Sequence, residues 1–301
     1  MAARFSSPSV SLVASRSGLH ATSDLFGHLA AWVGLYVGGC VVIAGLLLHG
    51  EVSLAALCIA IPTTVGTYLI DRVKPWPGLS DPADKMAHPE RAAVLLRLDV
   101  PVRLVAITLI VLAALASWLL IPAATVAVIG APIGVWVYSH RGRLPRPKDR
   151  MTLKNLFVAI SITALVLLLE GSGSQTMTLL AVGIFLMLNV FADAMLCDID
   201  DRHADARFGT RTIANTLGIS ETWKLAIVLQ CMGFMILVIS AAMGQIAWLP
   251  ALLLGTVFLF MTVALRSVRV ARIKDLVDLK LPLAAALAWL LISVADAGLS
   301  P

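Results

Sequence analysis

The residues best suited to chemistry are a cluster of aspartates in the second half of the chain. Asp198, Asp201 and Asp205 are separated by three and four positions, so a helix that runs through them places the three carboxylates within an arc of about 60°. Asp200 points away from that arc, and Asp193 lies deeper along the helix on a different side. Carboxylates on adjacent turns repel one another, and this face therefore needs a cation. Oxygen ligands with room for water favour Mg²⁺ or another hard divalent ion, which is typically held by a few carboxylates and substrate phosphates.

The segment that follows this cluster has residues suited to an anion. Gly209, Thr210, Arg211 and Thr212 offer a turn, hydroxyl groups and a guanidinium. The alternative interpretation is a solvated acidic loop. The cluster abuts an apolar stretch, however, where an unused carboxylate is costly. The sequence therefore favours a site for a metal-bound anion.

A second acidic site ends another apolar stretch. Thr64, Thr67 and Asp71 repeat the spacing of three and then four. The residues that follow mix acids with bases, which suits a site where carboxylates hold metal ions and Lys or Arg neutralises the remaining phosphate charge. These residues are Arg72, Lys74, Asp81, Asp84, Lys85 and Arg91. The alternative is an ordinary interfacial pair, Asp71 and Arg72, beside a flexible proline-rich loop.

The elements that must position these residues are membrane-spanning helices. Of the 301 residues, 59% are apolar and only 14% are charged, and the mean hydropathy is +0.92. So many apolar residues exceed what a water-soluble core can bury, which argues against a secreted, disulfide-stapled or nucleic-acid-binding protein. Nine apolar stretches reach or approach the length that a helix needs to cross a bilayer, and lipid leaves their backbone groups no other partners. They cover residues 27–48, 54–70, 104–121, 124–138, 153–169, 179–196, 225–243, 248–265 and 281–299.

The distribution of charge predicts how these helices are oriented. All 23 Lys and Arg residues lie in the N-terminal segment or after the second, fourth, sixth and eighth stretches, whereas the connections between the other stretches carry only Glu51 and Glu170. By the positive-inside rule, the N-terminus and the long loops are cytoplasmic and the C-terminus lies on the opposite side. Residues 1–26 are interpreted as a flexible cytoplasmic arm, with a transit peptide as the alternative, and 27–301 as one transmembrane domain.

The aspartate cluster at residues 198–205 carries a family resemblance. Asp198, Asp201-x-x-x-Asp205, Gly209-Thr-Arg-Thr212 and Leu217-Gly218 resemble the second aspartate motif and downstream signature of the UbiA superfamily of intramembrane prenyltransferases. The resemblance spans 27–299 and implies nine helices bundled around a central cavity, with aspartate-rich cytoplasmic loops after the second and sixth. It also implies that two aspartate motifs bind Mg²⁺ and a prenyl diphosphate. The stretch from Tyr138 to Lys154 resembles the family's segment between the fourth and fifth helices.

The first motif departs from the family pattern. The family's Asn-x-x-x-Asp-x-x-x-Asp falls on Thr67, Asp71 and Pro75, so only the central acid is in place. Asp81 and Asp84 are the candidate replacements for the missing carboxylate. The resemblance implies prenyl transfer from a prenyl diphosphate to an aromatic or other lipophilic acceptor. Membrane terpene cyclases, which need no acceptor, are the alternative within the superfamily, and an ion-coupled transporter is the alternative outside it.

Spacing and resemblance together give a set of expected site residues. The expected catalytic residues are Asp71, Asp198, Asp201 and Asp205, and these with Asp81 and Asp84 are the expected Mg²⁺ ligands. The expected substrate-binding residues are Thr67, Tyr68, Arg72, Lys74, Lys85, Arg91, Tyr138, Lys154, Asn189, Arg202 and Arg211. The expected partners are a prenyl diphosphate, a lipophilic or aromatic acceptor and the lipid bilayer, without nucleic acid. The sequence leaves open the length of the prenyl chain, the acceptor, the membrane and the oligomeric state.

The shared helical face of Asp198, Asp201 and Asp205 predicts a ranked effect of substitutions. Asp201→Ala and Asp205→Ala are expected to abolish Mg²⁺-dependent turnover while the helices stay folded, and Asp71→Asn is expected to be nearly as damaging. Asp200→Asn is expected to be mild, because Asp200 lies off the shared face. Turnover and helical circular dichroism of the purified variants check this ranking, and the reverse order would contradict it.

Overall fold

The computed structural model describes residues 25–74, 81–140, 146–268 and 273–298. Within these ranges every regular element is a helix, which confirms the predicted all-α fold class. Most of the predicted cytoplasmic arm, 1–26, lies outside the described residues, and so does Pro75 of the first motif.

Nine of the described helices are long and apolar enough to cross a membrane, as predicted. Three shorter helices, Pro82–Ala87, Pro89–Arg97 and Ile213–Thr216, lie in the connections, together with short 3₁₀ turns at Pro122–Ala124 and Pro147–Asp149. In chain order the helices are α1 (Ala31–Leu48), α2 (Leu54–Val73), α3 (Pro82–Ala87), α4 (Pro89–Arg97), α5 (Asp99–Leu120), α6 (Thr125–Ser139), α7 (Leu153–Glu170), α8 (Thr176–Arg207), α9 (Ile213–Thr216), α10 (Ile219–Ala242), α11 (Trp248–Ser267) and α12 (Ile273–Gly298).

Among the spanning helices, α8 and α12 extend furthest beyond the boundaries that hydropathy indicated. α8 continues to Arg207 and carries the whole aspartate cluster on one helix. α12 begins at Ile273, so the predicted start near residue 281 was wrong. Hydropathy places helix ends at the first charged residues, but here those side chains are buried against partners; Lys280, for example, is only 3% exposed.

The bundle has a buried core and a lipid-facing exterior. α8 packs between α7 and α10, and α1 packs on α12. Their shared core contains fully buried side chains such as Val37, Val166 and Phe185. α5 and α6 lie at the periphery and expose apolar side chains such as Leu119 and Val126, which are 75% and 78% exposed. Such surfaces are expected of helices that face lipid.

Gly66 marks a close approach between α2 and α5. A Cβ atom at Gly66 would lie 2.8 Å from the backbone oxygen of Ala106 and 2.8 Å from Cγ1 of Ile110, closer than side chains normally pack. A Cβ atom at Gly130 in α6, in contrast, would meet nothing within 4 Å. Gly66 therefore fixes the distance between α5 and α2, the helix that carries Asp71.

The two glycines form a matched test of this packing. Gly66→Ala and Gly130→Ala gain similar helix propensity, but the first forces α2 and α5 apart, which typically costs about 1–3 kcal/mol. We expect Gly66→Ala to unfold at a lower temperature than Gly130→Ala in the same detergent. Equal unfolding temperatures would contradict the close approach.

Candidate active site

A cavity of about 420 Å³ lies between α1, α2, α6, α7, α8 and α12. Apolar and small residues of α6 and α7, such as Ala127, Gly134, Val158 and Leu165, form much of its wall. Charged side chains line it as well, and all of them except Asp193 come from the helix ends and connections on the predicted cytoplasmic side. They are Asp71, Arg72, Asp84, Arg91, Lys148, Lys154, Asp193, Asp198, Asp201, Lys274 and Asp278. The cavity therefore combines a charged end with an apolar body.

Asp71 brings the first motif into this cavity. It lies in the last turn of α2, where Oδ1 accepts hydrogen bonds from Lys74 Nζ at 2.5 Å and from Ser139 Oγ at 2.7 Å. Ser139 is the last residue of α6. The carboxylate therefore fixes the end of α2 against the end of α6.

Asp198 and Asp205 of the second motif share one cation. Lys154 Nζ in the first turn of α7 lies 2.8 Å from Asp198 Oδ1 and 3.0 Å from Asp205 Oδ2. Because the two aspartates are seven residues apart on α8, they face the same side of the helix, as predicted. Asp198 also lines the cavity, whereas Asp205 is buried behind it.

Asp201 connects α8 to two segments that were not among the predicted site residues. His88 Nε2, between α3 and α4, lies 2.8 Å from Asp201 Oδ1, and Lys274 Nζ of α12 lies 3.9 Å from Oδ2. Burial lowers the pKa of the His88 imidazole, although the neighbouring Asp201 carboxylate opposes this shift. Lys274 and Asp278 are four residues apart on α12 and both line the cavity. That spacing was the signal for them in the sequence, but they precede the predicted start of the last helix.

Asp81 and Asp84, at the start of α3, have different surroundings. Asp84 lines the cavity and forms an ion pair with Arg91 at 2.5 Å. Asp81 does not line the cavity; it is buried with Lys148 Nζ at 2.7 Å and Arg146 Nη1 at 3.4 Å, and it caps α3 by accepting a hydrogen bond from the Ala83 amide. Of the two candidate replacements for the acid at Pro75, Asp84 is therefore the one that reaches the cavity.

Ion pairing shifts the pKa values around Asp81. Burial by itself would raise the pKa of Asp81, but Lys148 and Arg146 outweigh it and lower this pKa to about 2. Burial by itself would likewise lower the pKa of Lys148, but Asp71, Asp84 and Asp81 raise it. Both groups are therefore charged at neutral pH and hold the α3 segment against the turn before α7.

The expected substrate-binding residues divide into two groups. Those that line the cavity are Thr67, Tyr68, Arg72, Arg91, Tyr138 and Lys154. The other five lie outside its lining. Lys74 contacts Asp71, and Lys85 and Arg211 are exposed. Arg202 donates to the Ile199 carbonyl, and Asn189 donates to the Phe185 carbonyl. The structure therefore brings together six of the eleven expected residues.

The segment after α8 makes structural contacts. Thr210 Oγ1 donates to Asp149 Oδ1 at 3.0 Å, and the Arg211 amide donates to the Asp149 carbonyl. Thr212 and Asn215 form a capping box at the start of α9. These hydrogen bonds join the end of α8 to the turn before α7, so the segment positions Lys148 and Lys154 around the cavity.

The donor groups in the cavity are suited to a cation and an anion bound together. Among the described residues no three His, Cys, Asp or Glu side chains are grouped closely enough to hold a metal ion by themselves. Asp198 Oδ2, Thr67 Oγ1 and Asn155 Nδ2 are nevertheless buried beside the cavity with no hydrogen-bond partner in the described chain. Carboxylate and hydroxyl oxygens are ligands that Mg²⁺ accepts, and Mg²⁺ usually completes its shell with substrate phosphate and water.

Three comparisons relate the chain to known proteins. A sequence model of the UbiA prenyltransferase family matches residues 83–274. A search of curated protein sequences gives no match.

Solved structures share the fold at low sequence identity. A UbiA homologue from Archaeoglobus fulgidus bound to GPP and Mg²⁺ is 14% identical, with a TM-score of 0.62 over 89% of this chain and 98% of that one. The apo UbiA homologue from Aeropyrum pernix K1 is 14% identical, with a TM-score of 0.55 over 87% and 97%. A structure described for digeranylgeranylglyceryl phosphate synthase is 12% identical, with a TM-score of 0.53 over 90% and 95%.

The contrast between Asp81 and Asp84 can be tested with paired variants. Asp81→Asn is expected to unfold at a lower temperature than the wild type at pH 7. Because the folded-state pKa of Asp81 is lowered to about 2, its contribution to stability is present above its ordinary pKa and is lost as the pH falls through the folded value. The difference between the proteins should therefore shrink below about pH 4.

Mg²⁺ supplies the second half of this test. We expect added Mg²⁺ to raise the unfolding temperature of Asp81→Asn as much as that of the wild type, and to raise that of Asp84→Asn less, because only Asp84 lines the cavity. A lost Mg²⁺ response in Asp81→Asn with a normal response in Asp84→Asn would reverse the assignment.

Proposed function

The chain belongs to the UbiA prenyltransferase family, and from this premise we propose that it is an intramembrane, Mg²⁺-dependent prenyltransferase. It moves an isoprenyl group from a prenyl diphosphate to an aromatic or other lipophilic acceptor. One observation carries the proposal: Asp71 of α2 and Asp198 and Asp201 of α8 line the same cavity, and the remaining wall of that cavity is largely apolar.

The charged end of the cavity suits a diphosphate. Arg72, Arg91, Lys148, Lys154 and Lys274 all line it, and such cations neutralise phosphate oxygens. The related homologue from Archaeoglobus fulgidus was solved with GPP and Mg²⁺, and we propose Asp71, Asp84, Asp198 and Asp201 as the residues that hold Mg²⁺ in this chain. Bound there, Mg²⁺ supplies positive charge that stabilises the departing diphosphate.

The apolar body of the cavity suits the prenyl tail. When the allylic C–O bond breaks, its electron pair leaves with the diphosphate and a carbocation remains. Side chains such as Val158, Leu165 and Val190 exclude water, which would otherwise capture that cation. Tyr138, whose ring stacks on Phe157 with centroids 5.4 Å apart, adds an aromatic face to the same wall. The acceptor then forms the new bond to the allylic carbon and loses a proton.

The departure in the first motif favours one second candidate, a membrane terpene cyclase. Thr67 and Pro75 replace two of the three family residues. Thr67 lines the cavity with a hydroxyl that has no partner among the described residues, so the first motif presents one carboxylate to the cavity from α2. In a cyclase the cation is captured by double bonds of its own chain, and no acceptor is needed.

The proposed orientation places this chemistry at the cytoplasmic side of the membrane. The nine spanning helices and the family indicate a multi-pass membrane protein. We propose that the N-terminus is cytoplasmic and the C-terminus opposite, because the Lys and Arg residues gather on one side. Residues 27–301 then act as one catalytic unit, with 1–26 as a cytoplasmic arm.

A product assay tests the proposal and separates the two candidates. The purified protein is incubated with Mg²⁺ and prenyl diphosphates of several lengths, first without an acceptor and then with lipophilic aromatic compounds. We expect the diphosphate to persist until an acceptor is added, because transfer needs both substrates. A cyclic hydrocarbon or alcohol formed without acceptor would identify a cyclase, and no Mg²⁺-dependent consumption under any condition would contradict both.

A further inference from the structure

A second ionic network lies deeper in the bundle than the aspartate motifs. Asp193 of α8 accepts hydrogen bonds from Tyr36 Oη at 3.0 Å and from Gln230 Nε2 at 3.3 Å, and it forms an ion pair with Lys280 of α12. Lys280 Nζ also donates to Thr262 Oγ1 at 3.0 Å. All five side chains are at most 4% exposed, and they come from α1, α8, α10, α11 and α12.

The network has a closed side and an open side. Lys280, Gln230 and Thr262 are absent from the lining of the cavity, whereas Tyr36 and Asp193 belong to it. On α8, Asp193 precedes Asp198 by five residues, which is about 7.5 Å along the helix axis. The open side therefore faces the apolar body of the cavity, beyond the charged end.

The hydrogen-bond direction determines what Tyr36 can offer to a ligand. Lys280 compensates the charge of Asp193, which keeps the carboxylate an acceptor. Tyr36 donates its hydroxyl proton to Asp193, so the phenolic oxygen is left with lone pairs that accept hydrogen bonds. An isoprenyl chain has no O–H or N–H group and cannot satisfy that oxygen. The hydroxyl is already paired through its proton, and an occupant that carries an O–H or N–H group can add a second hydrogen bond by donating to the phenolic oxygen.

We propose that Tyr36 accepts a hydrogen bond from an O–H or N–H group of the lipophilic second substrate, and that Asp193 is the positioning residue that orients Tyr36. The inference rests on the proposed prenyl transfer, because it assumes that a second substrate enters the cavity. The subsite selects ligands that carry a hydrogen-bond donor within the apolar body of the cavity. Lys280 acts behind it by neutralising Asp193.

The network also joins the helices. Lys280 and Gln230 both reach Oδ1 of Asp193, and Tyr36 donates to Oδ2, so the Tyr36 hydroxyl completes the hydrogen bonds of the buried carboxylate. A role restricted to packing would not make ligand selection depend on that hydroxyl.

The test uses a matched pair of probes, 2-naphthol and its methyl ether, which differ in one hydrogen-bond donor. Binding to the purified full chain is measured without Mg²⁺ and without diphosphate. We expect the wild type to bind the naphthol about five-fold more tightly than the ether, the preference that one net hydrogen bond supplies. Tyr36→Phe should reduce this ratio to about one. Ser117→Ala, which removes a buried hydroxyl outside the cavity lining, should keep it.

A paired variant tests the positioning role without leaving a buried charge. Asp193→Leu combined with Lys280→Met removes the ion pair as a neutral unit and keeps Tyr36, and we expect the naphthol preference to fall because Tyr36 is no longer oriented. A preference retained in Tyr36→Phe, or equal binding of both probes to the wild type, would overturn the inference.

The probes report on this subsite separately from turnover. Because the binding measurement omits Mg²⁺ and diphosphate, equal binding of the two probes together with intact prenyl transfer would overturn the subsite alone. A clear naphthol preference together with no prenyl-diphosphate turnover would overturn the proposed function alone.

Discussion

Buried carboxylates at the edge of a membrane must be neutralised, and this requirement organises the molecule. Aspartates on α2 and α8 would be unfavourable in an apolar bundle unless cations or hydroxyls reached them. Lys154 of α7 contacts Asp198, Lys274 of α12 lies near Asp201, and Ser139 of α6 contacts Asp71. Three helices are thereby held around the two that carry the aspartates, and all five of these helices line the cavity. The interactions that hold the helices together are therefore the same ones that arrange the charged end of the site.

The cavity combines a charged environment and an apolar environment. Its charged end suits a diphosphate with its metal ion, and its apolar body suits a hydrocarbon tail and a reactive cation that must avoid water. A prenyl diphosphate has the same two parts, which is why a site at the membrane face serves it. The Tyr36–Asp193–Lys280 network adds a polar group within the apolar body. On this account the charged end selects the donor substrate, and Tyr36 contributes to selecting the acceptor.

The fold and the second motif could be predicted from the sequence because both depend on local patterns. Apolar length identified the spanning helices, and the spacing of Asp198 and Asp205 placed them on the face that Lys154 contacts. Contacts between distant segments left weaker signals. His88, Lys274 and Asp278 reach the site from a loop and from the start of α12, and hydropathy assigned that start to solvent. The choice between Asp81 and Asp84 likewise depended on Arg146 and Lys148 meeting Asp81 in space, which chain order does not encode.

The central claim is that carboxylates of α2 and α8 together hold a metal ion against a diphosphate. Pulsed electron paramagnetic resonance with Mn²⁺ in place of Mg²⁺, in the presence of a non-ionising geranyl thiodiphosphate, tests it directly. The account predicts phosphorus hyperfine coupling to bound Mn²⁺ in the wild type, and weakened Mn²⁺ binding in both Asp71→Asn and Asp201→Asn. Mn²⁺ that binds normally to either variant, or that shows no phosphorus coupling in the wild type, would contradict it.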